Sequence, residues 1–183
     1  MLKKALINID YTNDFVADNG ALTCGEPGQA IEEKIIALTK EFIANDDYVV
    51  FAIDVHDKGD EYHPETKLFP PHNLRGTDGR HLFGGLQAVY EENRLHDHVT
   101  LMDKTRYSAF AGTDLEIKLR ERGITEVHLV GVCTDICVLH TAVDAYNKGF
   151  KIVVYKEAVA SFNQKGHEWA LGHFVQSLGA MVK

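Results

Sequence analysis

Acidic, basic and sulfur-bearing side chains stand where apolar segments of this sequence end. Asp10 follows the segment ALINI, Lys104 follows VTLMD, and Cys137 comes shortly after EVHLVG. In an open sheet of parallel strands the carboxyl ends of the strands meet at one edge, and ligands bind there. A thiol beside a carboxylate and an ammonium can act as a nucleophile, because the carboxylate accepts its proton and the ammonium stabilises both anions. The three residues are therefore a candidate catalytic group.

Cys137 is predicted to lie in the first turn of a helix, with Thr134 or Asp135 as the N-cap. The helix dipole would then favour the thiolate, and the backbone N–H of Cys137 would be an available donor for an oxyanion. Each residue type also has a structural explanation. Cys137 can be a small buried cysteine, Asp10 a turn residue and Lys104 a solvated strand-end lysine. Their positions alone leave these alternatives open.

A second group of side chains has the chemistry of a metal site. Asp54 and His56 are two residues apart at a strand end, so their side chains point the same way. Glu65 and His72 follow in the next loop, and His63 is an alternative to Glu65. Imidazoles and carboxylates suit a first-row divalent ion, although loop histidines are also common without one. Three other histidines are interpreted as surface residues, namely His81, His96 and His98.

Three aromatic residues lie close in sequence to these polar groups. Phe15 follows Asp10, Phe69 lies in the histidine-rich loop and Tyr107 follows Lys104. Aromatic side chains at one sheet edge can hold a flat ring between them, and core packing is the competing explanation for each. Trp169 is predicted to lie in the core.

The elements that must position these residues alternate along the chain as strands and amphipathic helices. This alternation predicts a three-layer α/β/α fold with a six-stranded, mainly parallel sheet. The predicted strands are Ala5–Asp10, Tyr48–Asp54, Val99–Asp103, Glu126–Gly131, Lys151–Tyr155 and Ala180–Lys183. Four apolar stripes predict the helices: Ile31, Ile35, Leu38 and Phe42; Leu115 and Leu119; Ile136, Leu139, Val143 and Tyr146; Ala170, Phe174 and Leu178. We predict a single domain over residues 1–183, with a loop insertion at about 54–94 whose apolar residues follow neither helical nor strand periodicity.

Composition excludes several classes of protein. The chain has 183 residues, with 19 basic and 27 acidic side chains and a formal net charge of −8. This balance argues against nucleic acid and anionic membranes as partners. No apolar run approaches the roughly 20 residues of a membrane span, and the N-terminus does not have the pattern of a signal peptide. With three cysteines and no disulfide pattern, we expect a cytoplasmic protein. The oligomeric state stays open, and a homo-oligomer is one alternative.

Four segments together resemble the nicotinamidases of the isochorismatase-like cysteine hydrolase superfamily, over essentially the whole chain. They are ALINIDYTNDF, DVHDKGDEYHPETKLFPPHN, DKTRYSAFAGTDL and GVCTDICVLHTAVDAYNKGF. The resemblance implies an isochorismatase-like (Rossmann-like) hydrolase fold and a catalytic triad of Asp10, Lys104 and Cys137. It also implies a cis peptide bond between Val132 and Cys133, with the N–H groups of Cys133 and Cys137 forming the oxyanion hole.

The narrower resemblance to nicotinamidases implies a metal, a substrate and a reaction. The implied reaction converts nicotinamide to nicotinate and ammonia through a thioester, in NAD salvage, and analogues such as pyrazinamide are further candidate substrates. It implies one divalent metal ion, with Zn²⁺ as our first expectation and Fe²⁺ or Mn²⁺ as alternatives. The implied ligands are Asp54, His56, Glu65 and His72, with His63 as the alternative to Glu65, and the implied ring clamp is Phe15, Phe69 and Tyr107.

Three rival functions remain at this point. Another amidohydrolase of the same superfamily would act on a carbamoyl or ureido substrate, but such relatives generally lack the metal loop. A binding module on the same scaffold would have no need of an intact triad. A redox-sensing or metal-storage protein would use Cys133 and Cys137, whose spacing across a strand–helix junction disfavours that role.

Overall fold

The computed structural model of the chain describes residues 3–183 and confirms the predicted α/β fold. Six strands form one sheet in the order β3-β2-β1-β4-β5-β6, and every pair is parallel. Strand boundaries agree with the predicted ones to within two residues, except that the fifth strand is five residues longer. The strands are β1 (Lys4–Ile9), β2 (Tyr48–Asp54), β3 (Val99–Lys104), β4 (Glu126–Val132), β5 (Lys151–Ala160) and β6 (Met181–Val182).

Helices cover both faces of the sheet and create two hydrophobic layers. The helices are α1 (Asn13–Val16), α2 (Glu26–Gln29), α3 (Glu32–Ala44), α4 (Gly85–Asn93), α5 (Leu115–Glu121), α6 (Leu139–Asn147) and α7 (Gln164–Gln176). Side chains of α3 and α4 pack with Leu6 on one face, whereas side chains of α5, α6 and α7 pack with Ile7 and Ile9 on the other. Alternate residues of β1 thus pack in opposite hydrophobic layers, because successive side chains of a strand point to opposite faces of the sheet. None of the helices in residues 3–183 combines the length and apolar character that a membrane crossing requires.

Three sequence expectations about helices were wrong. The segment expected to be irregular contains α4, whose Leu86 and Val89 are buried. The buried face of α6 consists of Thr141, Ala142 and Ala145, while Tyr146 of the predicted stripe is exposed. Small residues let α6 lie close to the sheet, and a search for large apolar residues overlooks such a face.

The third error concerns Trp169, which was expected in the core. Its side chain is 59% exposed and stacks on His173, with ring centroids 4.8 Å apart. Ala170 and Phe174 carry the buried face of α7, so Trp169 lies beside that face and not on it.

The carboxyl ends of β1, β2, β3 and β4 lie side by side, as the site requires. Asp54 is the register partner of Lys104, and Ile9 pairs with Ala52 on one side and Gly131 on the other. Gly131 has a φ of 116°, and a Cβ atom there would lie 2.0 Å from the carbonyl oxygen of Ile9. Only glycine allows β1 and β4 to approach this closely at the end that carries Asp10.

The long segment between β2 and α4 is held against the strand ends by polar contacts. The Nε atom of Arg80 donates to the carbonyl oxygen of Asp54 at 3.0 Å, and its guanidinium also binds Asp103. Arg75 binds the other oxygen of Asp103 at 3.1 Å. The backbone N–H of Asn73 donates to the carboxylate of Asp14 at 2.7 Å. These contacts fix a loop rich in metal-ligand side chains in one position.

Candidate active site

Asp10, Lys104 and Cys137 come together at the sheet edge, although they lie on three different strand ends. The Nζ atom of Lys104 is 2.7 Å from Oδ2 of Asp10 and 3.8 Å from Sγ of Cys137. It also donates to the carbonyl oxygen of Arg106 at 3.0 Å. Lys104 is 1% exposed and Asp10 is fully buried, so the structural alternative of a solvated lysine does not hold. A lysine buried this fully needs anionic partners, and here they are the groups of the predicted triad.

Burial and charge set the protonation of this group. Burial raises the pKa of Asp10 to about 6, an effect that Lys104 opposes and Asp54 reinforces. Burial would lower the pKa of Lys104, but the negative charges around its ammonium outweigh burial and hold the pKa above its usual value. Lys104 therefore stays charged, while Asp10 can exchange a proton near neutral pH.

The Cys137 thiol is protonated at rest, which corrects the expectation from the helix dipole. Burial raises its pKa well above the usual value, and the nearby Lys104 opposes this only in part. Its side chain is 7% exposed, and the loss of water around the sulfur outweighs the partial positive charge of a helix end. The sulfur therefore needs a base beside it, and Asp10 is the carboxylate that interacts with it.

Neither Thr134 nor Asp135 caps the helix, contrary to expectation. Cys137 lies in a single π-helical turn, Thr134–Val138, that precedes α6, and the N-cap residue is Cys133 without a side-chain bond. The N–H groups of Ile136 and Val138, on either side of Cys137, both donate to the carbonyl oxygen of Cys133 at 3.1 and 3.2 Å. Turns of this kind are frequent at functional sites.

Thr134 and Asp135 instead bind residues on α7 and in the segment that leads into it. The Thr134 hydroxyl and Nδ1 of His167 are 2.8 Å apart, and the Asp135 carboxylate accepts a 2.7 Å hydrogen bond from Ser161. These contacts attach the turn that carries Cys137 to the end of β5 and to α7.

The peptide bond between Val132 and Cys133 is cis, as the resemblance implies. Cys133 lines the same cleft as Cys137, and both are buried. Their backbone N–H groups are the two donors expected to hold an oxyanion, and that role stays a prediction.

The predicted metal ligands also converge. The Nε2 atom of His56 is 2.7 Å from Oδ2 of Asp54, and Nε2 of His72 is 3.6 Å from the same oxygen and 3.4 Å from Oε2 of Glu65. His63 belongs to this cluster as well, because ligand atoms of Asp54, His56, His63 and Glu65 all lie within 4.8 Å of one another. The structure thus brings both Glu65 and His63 to the site.

The chemistry of this cluster fits a divalent cation. Nδ1 of His72 lies 2.8 Å from the carbonyl oxygen of Pro70, which can only accept, so Nε2 is left to face the carboxylates. Burial opposes a charge on His72, yet the Asp54 and Glu65 carboxylates that face its Nε2 raise its pKa to about 10. Buried atoms without a hydrogen-bond partner include Nε2 of both His63 and His72. The negative charges of Asp54 and Glu65 that hold a proton on His72 also favour a metal ion, and the unpartnered nitrogen atoms are available to bind it.

Asp54 connects the two groups. Its Oδ1 is 3.7 Å from the Lys104 ammonium, its Oδ2 faces His56, and its backbone N–H donates to Asp10 at 2.7 Å. Burial would raise the pKa of Asp54, but Lys104 and the imidazoles outweigh it and hold the pKa well below its usual value. The carboxylate is therefore anionic, as a metal ligand must be.

Aromatic residues line a narrow cleft in front of Cys137. The three predicted residues Phe15, Phe69 and Tyr107 are all there. Phe15 also packs edge-on against His72, with ring centroids 5.1 Å apart, so the cleft adjoins the metal cluster. Sequence reasoning missed three further lining residues, which are Leu22, Ile136 and Phe162. Ile136 could have been found as the neighbour of Cys137, but nothing in the sequence marks Leu22 or Phe162.

A family model described as the isochorismatase domain matches residues 4–183. The chain belongs to the isochorismatase family. Within this family it is similar to the Bacillus subtilis protein named "uncharacterized isochorismatase family protein PncA", with 70% identity over 99% of both chains.

Solved structures of the family agree with this fold. The chain is similar to the structure described as nicotinamidase/pyrazinamidase PncA from Bacillus subtilis, with a TM-score of 0.98, 67% identity and 99% coverage of both chains. It is also similar to the pyrazinamidase of Pyrococcus horikoshii in complex with zinc, with a TM-score of 0.84 and 28% identity over 99% of this chain and 98% of that one.

Proposed function

We propose that the chain is a nicotinamidase, a cysteine amidohydrolase that converts nicotinamide to nicotinate and ammonia in NAD salvage. The observation that carries the proposal is the placement of Lys104, 2.7 Å from Asp10 and 3.8 Å from Cys137, behind an aromatic cleft that adjoins a metal-ligand cluster. The printed description of the similar Bacillus subtilis structure, nicotinamidase/pyrazinamidase PncA, supports the same reaction. A hydrolase that only activates metal-bound water would not need this cysteine group.

The residues of the triad carry out the chemistry. Asp10 accepts the thiol proton of Cys137, and Lys104 stabilises the resulting negative charges. The thiolate then attacks the carboxamide carbon, and the N–H groups of Cys133 and Cys137 donate to the oxyanion. Asp10 returns the proton to the leaving nitrogen, which departs as ammonia and leaves a thioester on Cys137. Asp10 next takes a proton from water as the water oxygen attacks the thioester, the C–S bond breaks and the acid leaves, and Asp10 returns the proton to the Cys137 sulfur.

The remaining residues of the site bind and orient the substrate. Phe15, Phe69 and Tyr107 lie against the faces and edges of a flat ring in the cleft. A divalent ion, with Zn²⁺ the first candidate, would be held by Asp54, His56, Glu65 and His72 and would supply a Lewis-acidic contact for the ring nitrogen. Bound there, the ion would help Phe15, Phe69 and Tyr107 to orient the ring with its carboxamide towards Cys137.

Chelation tests the proposal as a whole. We expect purified protein to release ammonia from nicotinamide, to lose at least about 90% of this activity when metal is removed, and to recover it with Zn²⁺, because an unanchored ring loses its alignment. Ammonia release and metal content are measured on the same samples. Release that persists in metal-free protein would contradict the orienting role, and release from ureido or carbamoyl amides in place of nicotinamide would replace the proposed substrate.

The choice between Glu65 and His63 as a ligand can be tested by metal content. We expect Glu65→Gln to weaken metal binding at least about tenfold, because it removes a negative charge that lies 3.4 Å from His72. His63→Ala should change the affinity less than about threefold, since it removes a neutral imidazole and leaves the negative charge of the cluster unchanged. Glu61→Gln, an exposed change in the same loop, is the control. A larger loss with His63→Ala than with Glu65→Gln would reverse the assignment.

The pKa of Asp10 gives a pH dependence. Burial raises the pKa of this carboxyl to about 6. Only the ionised form accepts the thiol proton, so kcat/KM should fall as pH decreases through this value, by about tenfold per unit below it. Activity is measured between pH 4.5 and 8, with metal content and circular dichroism recorded at each pH to exclude loss of the ion or of the fold. A flat profile down to pH 5 would argue against Asp10 as the base.

A further inference from the structure

Cys24 and Cys133 form a pair of thiols that the proposed reaction does not use. Their Sγ atoms are 3.3 Å apart, although the residues are separated by 109 positions in the sequence. Each side chain is 5% exposed. Cys24 lies just before α2, and its backbone N–H donates to the carbonyl oxygen of Phe15 at 2.8 Å. Sequence reasoning did not pair them, because Cys24 lies in a segment rich in glycine and proline.

The two sulfur atoms differ in character. The two sulfur atoms share a hydrogen bond, and this bond, together with one from the backbone of Phe162, lowers the pKa of Cys24 below its usual value although burial opposes it. The same thiol–thiol bond and burial raise the pKa of Cys133 well above its usual value. Cys24 is therefore the more nucleophilic member, and Cys133 is a neighbouring thiol placed to resolve an oxidised partner.

We propose that Cys24 and Cys133 form an oxidation site, at which a hydroperoxide converts the two thiols into an intramolecular disulfide. The Cys24 thiolate attacks one peroxide oxygen, the O–O bond breaks, and Cys24 becomes a sulfenic acid as hydroxide or alkoxide leaves. The Cys133 sulfur then attacks the sulfenic sulfur, the S–O bond breaks, and water leaves after taking up the thiol proton. In total two thiols and one hydrogen peroxide give one disulfide and two water molecules.

The pair borders the substrate cleft through Cys133. Cys133 lines this cleft together with Phe162, whose backbone hydrogen-bonds to the sulfur of Cys24. We expect a small oxidant that enters the cleft to reach Cys24 past these two residues.

The disulfide is expected to inactivate the enzyme, and this consequence rests on the proposed function. A disulfide bond is about 2.05 Å long, so the sulfur atoms must approach each other by about 1.2 Å from their present separation. Cys133 carries one of the two proposed oxyanion donors, and its carbonyl oxygen accepts the hydrogen bonds of Ile136 and Val138 beside Cys137. Drawing Cys133 towards Cys24 moves this donor away from the reacting carbonyl group.

Mass spectrometry tests the bond without reference to activity. The Cys137→Ala variant, which keeps only the proposed pair, is treated with hydrogen peroxide, alkylated and digested. We expect a loss of about 2 Da in the intact protein and a dithiothreitol-sensitive peptide that joins residues 24 and 133. Cys24→Ser in the same background should show neither. Oxidation to sulfinic acid without a cross-link, or unmodified thiols after treatment, would overturn the proposal.

Inactivation kinetics test the consequence. In dithiothreitol, Cys24→Ser should hydrolyse nicotinamide at the parental rate, since Cys24 is outside the catalytic group. With peroxide, the parent should lose activity at least about fivefold faster than Cys24→Ser, because the Cys137 thiol is protonated and reacts slowly. Dithiothreitol should restore the parent. Equal rates of activity loss in the parent and in Cys24→Ser would overturn the inactivation step. If the protein has no nicotinamidase activity, the proposed function fails, but mass spectrometry can still detect the disulfide.

Discussion

Replacement of Cys137 by alanine is expected to lower kcat for nicotinamide hydrolysis by at least about 10⁴-fold, the loss typical of a removed catalytic nucleophile. The variant keeps the metal cluster, to which Cys137 does not belong, and changes only one of the side chains that line the cleft. Nicotinamide and metal should therefore bind within about threefold of their parental affinities, because alanine is smaller than cysteine and introduces no charge.

Cys24→Ala is the matched control for this variant. It removes another buried cysteine at the same end of the sheet and should keep parental activity in reducing buffer. Trapping gives a second measurement: acid-quenched parental protein should carry a nicotinoyl group that is absent from Cys137→Ala. Near-parental turnover in Cys137→Ala would refute the covalent mechanism.

Replacement of Asp10 by asparagine is expected to lower kcat by about 10³-fold, because an amide cannot accept the thiol proton. The change preserves shape. Asp10 has a φ of 54°, which asparagine tolerates, and the amide oxygen can still accept the 2.7 Å hydrogen bond from the N–H of Asp54. The amide nitrogen, however, replaces the oxygen that faces the Lys104 ammonium at 2.7 Å. Two hydrogen-bond donors, the new amide nitrogen and the ammonium, then face each other in a buried position. We therefore also expect a lower melting temperature.

The control for Asp10→Asn is Asp97→Asn, which changes an exposed carboxylate just before β3, at the opposite end of the sheet. It should leave both kcat and the melting temperature unchanged. Loss of activity in Asp10→Asn with metal content preserved separates the proton-transfer role from damage to the neighbouring ligands. If Asp10→Asn stays within tenfold of the parent, another group must accept the proton.

The fold and the location of the site could be predicted because both depend on local patterns. Apolar runs marked each strand, and the parallel order placed Asp10, Asp54 and Lys104 at one edge. The three aromatic residues were proposed because they lie close in sequence to the polar groups, with core packing as the alternative, and the family resemblance then favoured the ring clamp. The role assigned to Cys133 came from family resemblance alone, because no strand pattern or spacing indicates it.

Other features could not be predicted because they depend on contacts between distant segments. Thr134 looks like a helix cap until His167, on α7, is placed beside its hydroxyl. Burial of Cys137 reverses the effect expected from the helix dipole, and the sequence does not report how much water reaches a sulfur atom.

The central position of β1 has a consequence for synthesis of the chain. This strand leaves the ribosome first, yet it lies between β2 and β4, and Lys4 pairs with Glu126. At elongation rates of about 5–20 residues per second, roughly 6–25 s pass before its second neighbour exists. Through this interval one edge of a nearly continuous apolar strand has no partner, and such edges bind chaperones or other nascent chains. Slow codons between β3 and β4 would lengthen this exposure, so the yield of native protein should depend on translation speed in that region.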